Sequence, residues 1–268
     1  MCSTSISLIR LIKEEFNNNV RNGLYGFFSK ELAYHSNKIE GSTLSKEQTI
    51  SLFETKAIVS GESMEVYRSK DIEEANGHFL MFNYMIKTIG EELTSGMLKK
   101  FHYYLKVGVF EDMANGYKVG DYKDRPNFVG DIETCRPKDV GVEIDKLLCW
   151  YNSLDSITLD DIVTFHFRFE KIHPFQDGNG RVGRLVMFKQ CLENKIQPFI
   201  ITAFNKDIYR KAVNIVQKTG DVSELLMVAK ASQDNIVNKL YELGYGKLID
   251  DRFISDTLEL STELPTID

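Results

Sequence analysis

One twelve-residue stretch gathers side chains that could do chemistry together: His173-Pro174-Phe175-Gln176-Asp177-Gly178-Asn179-Gly180-Arg181-Val182-Gly183-Arg184. His173 can take a proton near neutral pH. Asp177 offers the hard oxygen that magnesium prefers beside substrate phosphates. Gly178 and Gly180 permit backbone conformations that turn successive N–H groups into one concave nest, which suits an anion. The nest opens onto the N-terminus of a helix, where free N–H groups and the dipole favour phosphate. Arg181 and Arg184 stand one turn apart on that helix, so both guanidinium groups can face one pocket. Each element alone has a plainer reading. A lone histidine is usually structural, Gly-x-Gly is a common turn, and paired arginines usually cover a solvated face. Together they put a base, a metal ligand, an anion nest and two cations in one loop, which a plain helix–loop–helix connection does not call for. The stretch is not a Walker A loop, which ends in Gly-Lys-Ser/Thr.

Two helices have to hold this loop. Pro174 and the Gly-Asn-Gly trio break any continuous helix through it. Before it, the spacing of Ile162, Phe165, His166 and Phe169 predicts a helix over 158–172, with Thr158 and Asp161 as a capping pair. After it, residues 181–194 are apolar nearly all round, which predicts a central, buried helix. Amphipathic patterns predict further helices over 5–16, 29–40, 45–58, 69–89, 94–106, 140–153, 206–219 and 222–243. Ser29 is the expected cap of the second of these and Gly41 its stop. Residues 107–139 have no helical period. Within them, VGDYKDRPNFVGDI (119–132) reads as a β-hairpin turning at Asp124–Asn127. An isolated hairpin is marginal, so it must lie on the helical body. His78 and His102 read as structural, His166 as a support for the loop, and Trp150 as core.

Composition narrows the class. The chain has 268 residues, 43% hydrophobic and 27% charged, which is ordinary for a globular protein with a substantial core. A formal net charge of −6 without a basic run argues against general nucleic-acid binding, and no recognition helix is evident. Cys2, Cys135, Cys149 and Cys191 lie far apart, which suits reduced thiols in the cytoplasm better than a zinc site. Residues 5–16 read as an amphipathic helix and not as a signal peptide, and no stretch is apolar enough to span a membrane.

The loop resembles a known family. HPFQDGNGRVGR (173–184) matches in full the Fic signature, His-Pro-Phe-x-Asp/Glu-Gly-Asn-Gly/Lys-Arg-x-x-Arg. HFRFEKI (166–172) looks like the helix that leads into that signature, and VGDYKDRPNFVG (119–130) resembles the family's flap hairpin, with Lys123 where many relatives have arginine. The likeness extends over roughly residues 30–240. It implies a mainly α fold: a Fic-type helical domain with a single β-hairpin flap. It further implies that His173 is the general base toward a Ser, Thr or Tyr hydroxyl and that Asp177 holds Mg²⁺ against the phosphates of ATP. Gly178, Asn179 and Gly180 would line the anion hole, Arg181 would bind the phosphate chain, Arg184 the γ-phosphate, and Phe175 would anchor the loop. The target protein would dock on the flap, 119–130. Tyr209 packs either near the adenine or, as a tyrosine more often does, in the core. Ser36-Asn37-Lys38-Ile39-Glu40-Gly41 fits the family's inhibitory pattern, Ser/Thr-x-x-x-Glu-Gly/Asn; taken alone, it is an ordinary helix end. If Glu40 pairs with Arg184, the γ-phosphate loses its clamp.

The expected organisation is an N-terminal helical region with the inhibitory helix (1–60), a catalytic core (61–243) and a peripheral acidic tail (244–268). The expected activity is transfer of AMP from ATP to a protein, autoinhibited through Ser36 and Glu40 and accompanied by self-modification. Expected partners are ATP and a target protein, with neither nucleic acid nor membrane, and a homo-oligomer left open. Rival readings are transfer of UMP, phosphocholine or phosphate at the same site, removal of AMP with Glu40 aligning water, and a non-catalytic regulator on the same scaffold.

Overall fold

The computed structural model describes residues 7–58, 67–129, 132–246 and 248. The tail read over 244–268 therefore lies almost wholly outside the described residues, as does Cys2. Among the described residues there are eleven α-helices and one strand pair.

The centre is α9 (Asn179–Glu193), buried on nearly every side as its all-round apolar sequence requires. It contacts α2 (Leu24–Ile39), α4 (Ser69–Lys87), α5 (Ser95–Lys106) and α8 (Leu159–Ile172). One hydrophobic core runs from Leu11 and Phe28 through Phe82 and Phe101 to Phe169, Phe175 and Phe188. Ring contacts such as Phe28–Phe188, 5.0 Å between centroids, tie α2 to α9. A second core, around Val163, Met187, Phe199 and Val213, seats α10 (Lys206–Thr219) and α11 (Ser223–Glu242) against α8 and α9. The remaining helices α1 (Leu8–Asn17), α3 (Lys46–Thr55) and α7 (Val140–Asn152) lie close to their expected spans. Thr158 and Asp161 make a full capping box, so α8 starts where the sequence says it should.

Several expectations are corrected. The second helix begins at Leu24, five residues before Ser29, and Ser29 is buried inside it. Its first turn is satisfied from another helix: the Tyr25 N–H donates to Glu15 Oε2 at 2.7 Å. A cap supplied by a distant residue leaves no local signal. The stretch without a helical period contains a five-residue helix, α6 (Phe110–Ala114), and a 3₁₀ turn at Pro137–Asp139. The hairpin turns later than Asp124–Asn127: β1 (Phe128–Val129) pairs antiparallel with β2 (Ile132–Glu133), in register Phe128↔Glu133. Asn127 still pairs across, its carbonyl accepting the Thr134 N–H at 3.2 Å, but this segment, residues 123–127, is also tied inward to the loop. The Lys123 N–H donates to the Pro174 carbonyl (2.9 Å) and Asn127 Nδ2 to the Phe175 carbonyl (2.8 Å). Trp150 is only partly buried, with the Arg168 guanidinium 4.2 Å above its ring.

Helices α4 and α5 pack closely. A Cβ on Gly77 would stand 2.0 Å from the backbone carbonyl oxygen of Leu105. Gly77→Ala must push the helices apart, and thermal or urea denaturation should register a loss of at least about 1–3 kcal/mol. An unchanged midpoint would mean that the two helices can separate freely.

Candidate active site

The loop between α8 and α9 begins with a strained residue. His173 caps α8 at φ +51°, a left-handed conformation that non-glycine residues seldom adopt, and its N–H donates to the Phe169 carbonyl at 2.8 Å. Its Nδ1 lies 3.3 Å from the Glu170 carbonyl. A carbonyl only accepts, so Nδ1 carries the proton and Nε2 is left with its lone pair. Burial holds the imidazole down to about 4, helped by the charge of Lys123. His173 is therefore a neutral base at ordinary pH.

The loop is anchored from three directions. Phe175 is fully buried and stacks face to face on His102, 4.1 Å between centroids. His102 accepts the Gly120 N–H at Nδ1 (2.9 Å) and donates from Nε2 to the Asp177 carbonyl (3.1 Å). This is the neutral tautomer, in keeping with a pKa lowered by burial to about 3. Asn179 accepts the Phe175 N–H and donates to the Phe175 carbonyl, both at 2.8 Å. Its side chain is thus committed to the loop, and what it can offer a ligand is backbone. Lys123 Nζ, inside the base of the hairpin, donates to Asn127, Thr134 and the Ile172 carbonyl.

Gly178 takes φ +82° and starts α9 with no side-chain cap, so the helix begins two residues before its expected start. Gly180 is already helical. Its missing side chain has a different reason: a Cβ there would lie 2.5 Å from Glu40 Oε1 and 2.8 Å from an Arg184 nitrogen. The Glu40 carboxylate therefore lies over the first turn of α9, where the helix dipole favours negative charge.

Both arginines are buried and both are met from α2. Arg184 donates from Nε to Ser36 Oγ (2.9 Å) and from one terminal nitrogen to the Ser36 carbonyl (3.0 Å) and Glu40 Oε1 (2.6 Å). The Tyr209 ring packs beneath it, and the Tyr209 hydroxyl is 2.7 Å from His166 Nε2, so Tyr209 is a buried residue that also touches this cluster. Burial by itself would raise the Glu40 carboxyl, but Arg184 and Arg181 outweigh it and hold it below the usual carboxylate range. Arg181 contacts Glu74, Asp177 (3.3 Å) and Asn37 Oδ1 (3.4 Å).

Asp177 is a third exposed, and its carboxylate is gripped by Lys106 Nζ at 2.7 Å. Burial would raise it, but Arg181 and Lys106 hold it far below its usual range. Lys106 is fully buried and also donates to Glu74 (2.6 Å) and Asp112 (2.8 Å). Every residue singled out in the sequence for this site is thus gathered here: His173, Asp177, Gly178, Asn179, Gly180, Arg181, Arg184, Ser36 and Glu40. Sequence reasoning missed Lys106, Glu74, Asn37 and Glu170. The available signal was polar residues on apolar faces: Lys106 follows Leu98, Phe101 and Leu105 round one side of α5, and Glu74 sits beside Ala75 on the buried stripe of α4. No group of three or more His, Cys, Asp or Glu side chains with metal-binding geometry exists among the described residues. The single ionised carboxylate of Asp177 fits an ion such as magnesium, which keeps water and phosphate oxygens as most of its ligands. Beside the loop, a cleft of about 510 Å³ opens between the hairpin and α7, lined by Val129, Thr134, Leu147, Arg168, Ile172 and Gln217.

Residues 92–191 match the Fic/DOC family. The chain is similar to protein adenylyltransferase Fic of Drosophila virilis, 27% identical over 192 residues that cover 70% of this chain and 38% of that protein. It is also similar to protein adenylyltransferase fic-1 of Caenorhabditis elegans, 25% identical over 222 residues, 76% of this chain and 42% of that protein. The chain thus spans about two fifths of the length of these curated relatives. Among solved structures it resembles a Fic domain containing signaling protein from Bacteroides thetaiotaomicron. The TM-score is 0.65 at 23% identity, covering 90% of this chain and 92% of that one, a likeness of fold.

The Lys106 hub has a measurable consequence. Lys106→Met leaves Asp112 without its cation and strips one from Glu74 and Asp177 inside the protein. Urea denaturation should report a loss of about 3–5 kcal/mol, the usual cost of breaking a buried ion pair from one side. A loss below about 1 kcal/mol would show that these carboxylates are solvated or paired without it.

Proposed function

We propose that this chain is a protein adenylyltransferase of the Fic type, which moves AMP from ATP to a Ser, Thr or Tyr hydroxyl of a target protein and is restrained by its own Glu40. The observation that carries this reading is a neutral histidine with a free Nε2, mounted on the same short loop as an uncapped helix N-terminus flanked by Arg181 and Arg184.

In this reading the phosphate chain lies along the N–H groups at the start of α9, with Arg181 and Arg184 as its cationic clamps. Nε2 of His173 takes the proton of the target hydroxyl. The hydroxyl oxygen bonds to the α-phosphorus, the bond from that phosphorus to the bridging oxygen breaks, and pyrophosphate leaves. Asp177 is the residue that would hold magnesium, and the ion when bound neutralises charge on the phosphates. The cleft beside the hairpin supports docking of a target segment against β1, where strand-like pairing would bring its hydroxyl toward the loop. Self-modification follows if a segment of the chain itself, or of a second copy, enters that cleft.

Restraint has a direct physical basis. Glu40 takes up a guanidinium that the γ-phosphate needs, and it puts negative charge over the anion-binding turn. Ser36 keeps the inhibitory helix in register by accepting from the same arginine. ATP held only through its α- and β-phosphates would present the α-phosphorus out of line for attack.

Incubation with Mg²⁺ and ATP labelled at either the α- or the γ-phosphate separates the transferase readings, because AMP transfer leaves only the α label on protein. Glu40→Gly should raise labelling above wild type by up to the order of a hundredfold, the usual cost of a misalignment of about 1 Å. His173→Ala in that background should abolish it while nucleotide binding persists. A Glu40→Gly rate equal to wild type makes 36–41 a mere helix end. Label that survives in the double variant does not come from this site. Asp177→Ala should weaken ATP binding in the presence of Mg²⁺ and nearly stop turnover; full activity in that variant under EDTA would remove the metal from the scheme.

A further inference from the structure

Glu170 is a buried carboxyl to which the reading above assigns no task. It sits on α8 with His166 one turn before it and His173 nearly one turn after it. Its Oε2 stands 3.8 Å from His173 Nδ1, and its own backbone carbonyl accepts that N–H at 3.3 Å. Its Oε1 has no hydrogen-bond partner, and neither has Nδ1 of His166. Room for both comes from α9: a Cβ on Gly183 would lie 2.8 Å from His166 Nδ1 and 3.1 Å from Glu170 Oε1. The other charged and titratable groups that face it are Arg184 from α9, Glu40 from the end of α2 and Tyr209 from α10. A buried carboxyl with an orphan oxygen is costly, and such groups call for an explanation.

We propose that Glu170 is the positioning residue of His173: its backbone carbonyl fixes the tautomer, and its carboxylate balances the charge that the ring gains during transfer. The inference rests on His173 acting as the base in AMP transfer. In that step the hydroxyl O–H breaks, the proton goes to Nε2, and the oxygen lone pair forms the bond to the α-phosphorus as pyrophosphate departs. The imidazolium left behind is largely buried, with the charge of Lys123 working against it and those of Glu40 and Asp177 in its favour. Its Nδ1–H points at Glu170, where a small rotation of the carboxylate converts 3.8 Å into a charge-assisted hydrogen bond. A carboxylate behind the base is a recurring way to orient an imidazole and steady its charged form.

The geometry has a pH consequence. Burial pushes the Glu170 carboxyl up to about 7, with Arg184 working against the rise. His173, held down to about 4, is already neutral in that range. Charge balancing is therefore absent below about pH 7 and present above it, so the transfer rate climbs through that pH as Glu170 loses its proton. A limb due to His173 itself would lie near 4.

Glu170→Gln keeps the shape and removes the charge. In the wild-type chain, the NMR signals of the His173 ring, assigned by their loss in His173→Ala, should show a second inflection near pH 7, and Glu170→Gln should erase it. Transfer of α-labelled AMP should fall about tenfold or more in kcat, with the KM for ATP within about twofold, and lose its limb near 7. Glu170→Asp should recover part of the rate. A wild-type ring with no inflection near 7 overturns the proposal, as does a Glu170→Gln variant with the wild-type rate and profile. The ring titration needs no turnover. A chain that shows the inflection but transfers no AMP in any background therefore sinks the transferase reading and leaves the Glu170–His173 coupling standing.

Discussion

Two buried guanidinium groups govern how this molecule is put together. α9 is central because it is apolar nearly all round, yet its first turns carry Arg181 and Arg184 into the interior. A buried cation must be met by carboxylates and carbonyls, since leaving one unpaired costs more than most single contacts contribute. Arg181 is met by Glu74, Asp177 and Asn37, and Arg184 by Ser36 and Glu40. These partners come from α2, α4 and the loop, so satisfying two charges fixes where those elements lie against α9.

The same requirement explains why the pocket is lined with the protein's own anions. A site suited to phosphates is strongly cationic, and an isolated set of such groups would not stay buried. Glu74, Asp112 and Asp177 converge on Lys106, and Glu40 lies over the start of α9. The carboxylates that stabilise the folded chain stand where an incoming anion would have to compete with them.

The loop itself depends on short-range order. Asn179 closes on Phe175 through two hydrogen bonds, Phe175 stacks on His102, and His102 spans from Gly120 to Asp177. The hairpin base is stitched to the same loop through Lys123 and Asn127. These neutral contacts keep His173 in its left-handed conformation with Nε2 left as acceptor.

Much of this was written locally in the chain. Helix periods placed α4, α5, α7, α8, α10 and α11 to within about two or three residues, because an amphipathic stripe and a capping box such as Thr158–Asp161 are properties of neighbouring residues. The candidate site was legible for the same reason: histidine, carboxylate, glycines and arginines fall within twelve consecutive positions. What tertiary structure decided is everything supplied across helices. Glu15 caps a helix that begins at Leu24, Lys123 and Asn127 displace the hairpin turn by tying their segment down, and Lys106 gathers carboxylates from three elements. Glu170 faces His173 from the loop's own helix, and a Cβ on Gly183 of α9 would crowd it at 3.1 Å. Periodicity reports which residues turn inward; which charge meets which depends on how the helices cross, and no local pattern carries that distance.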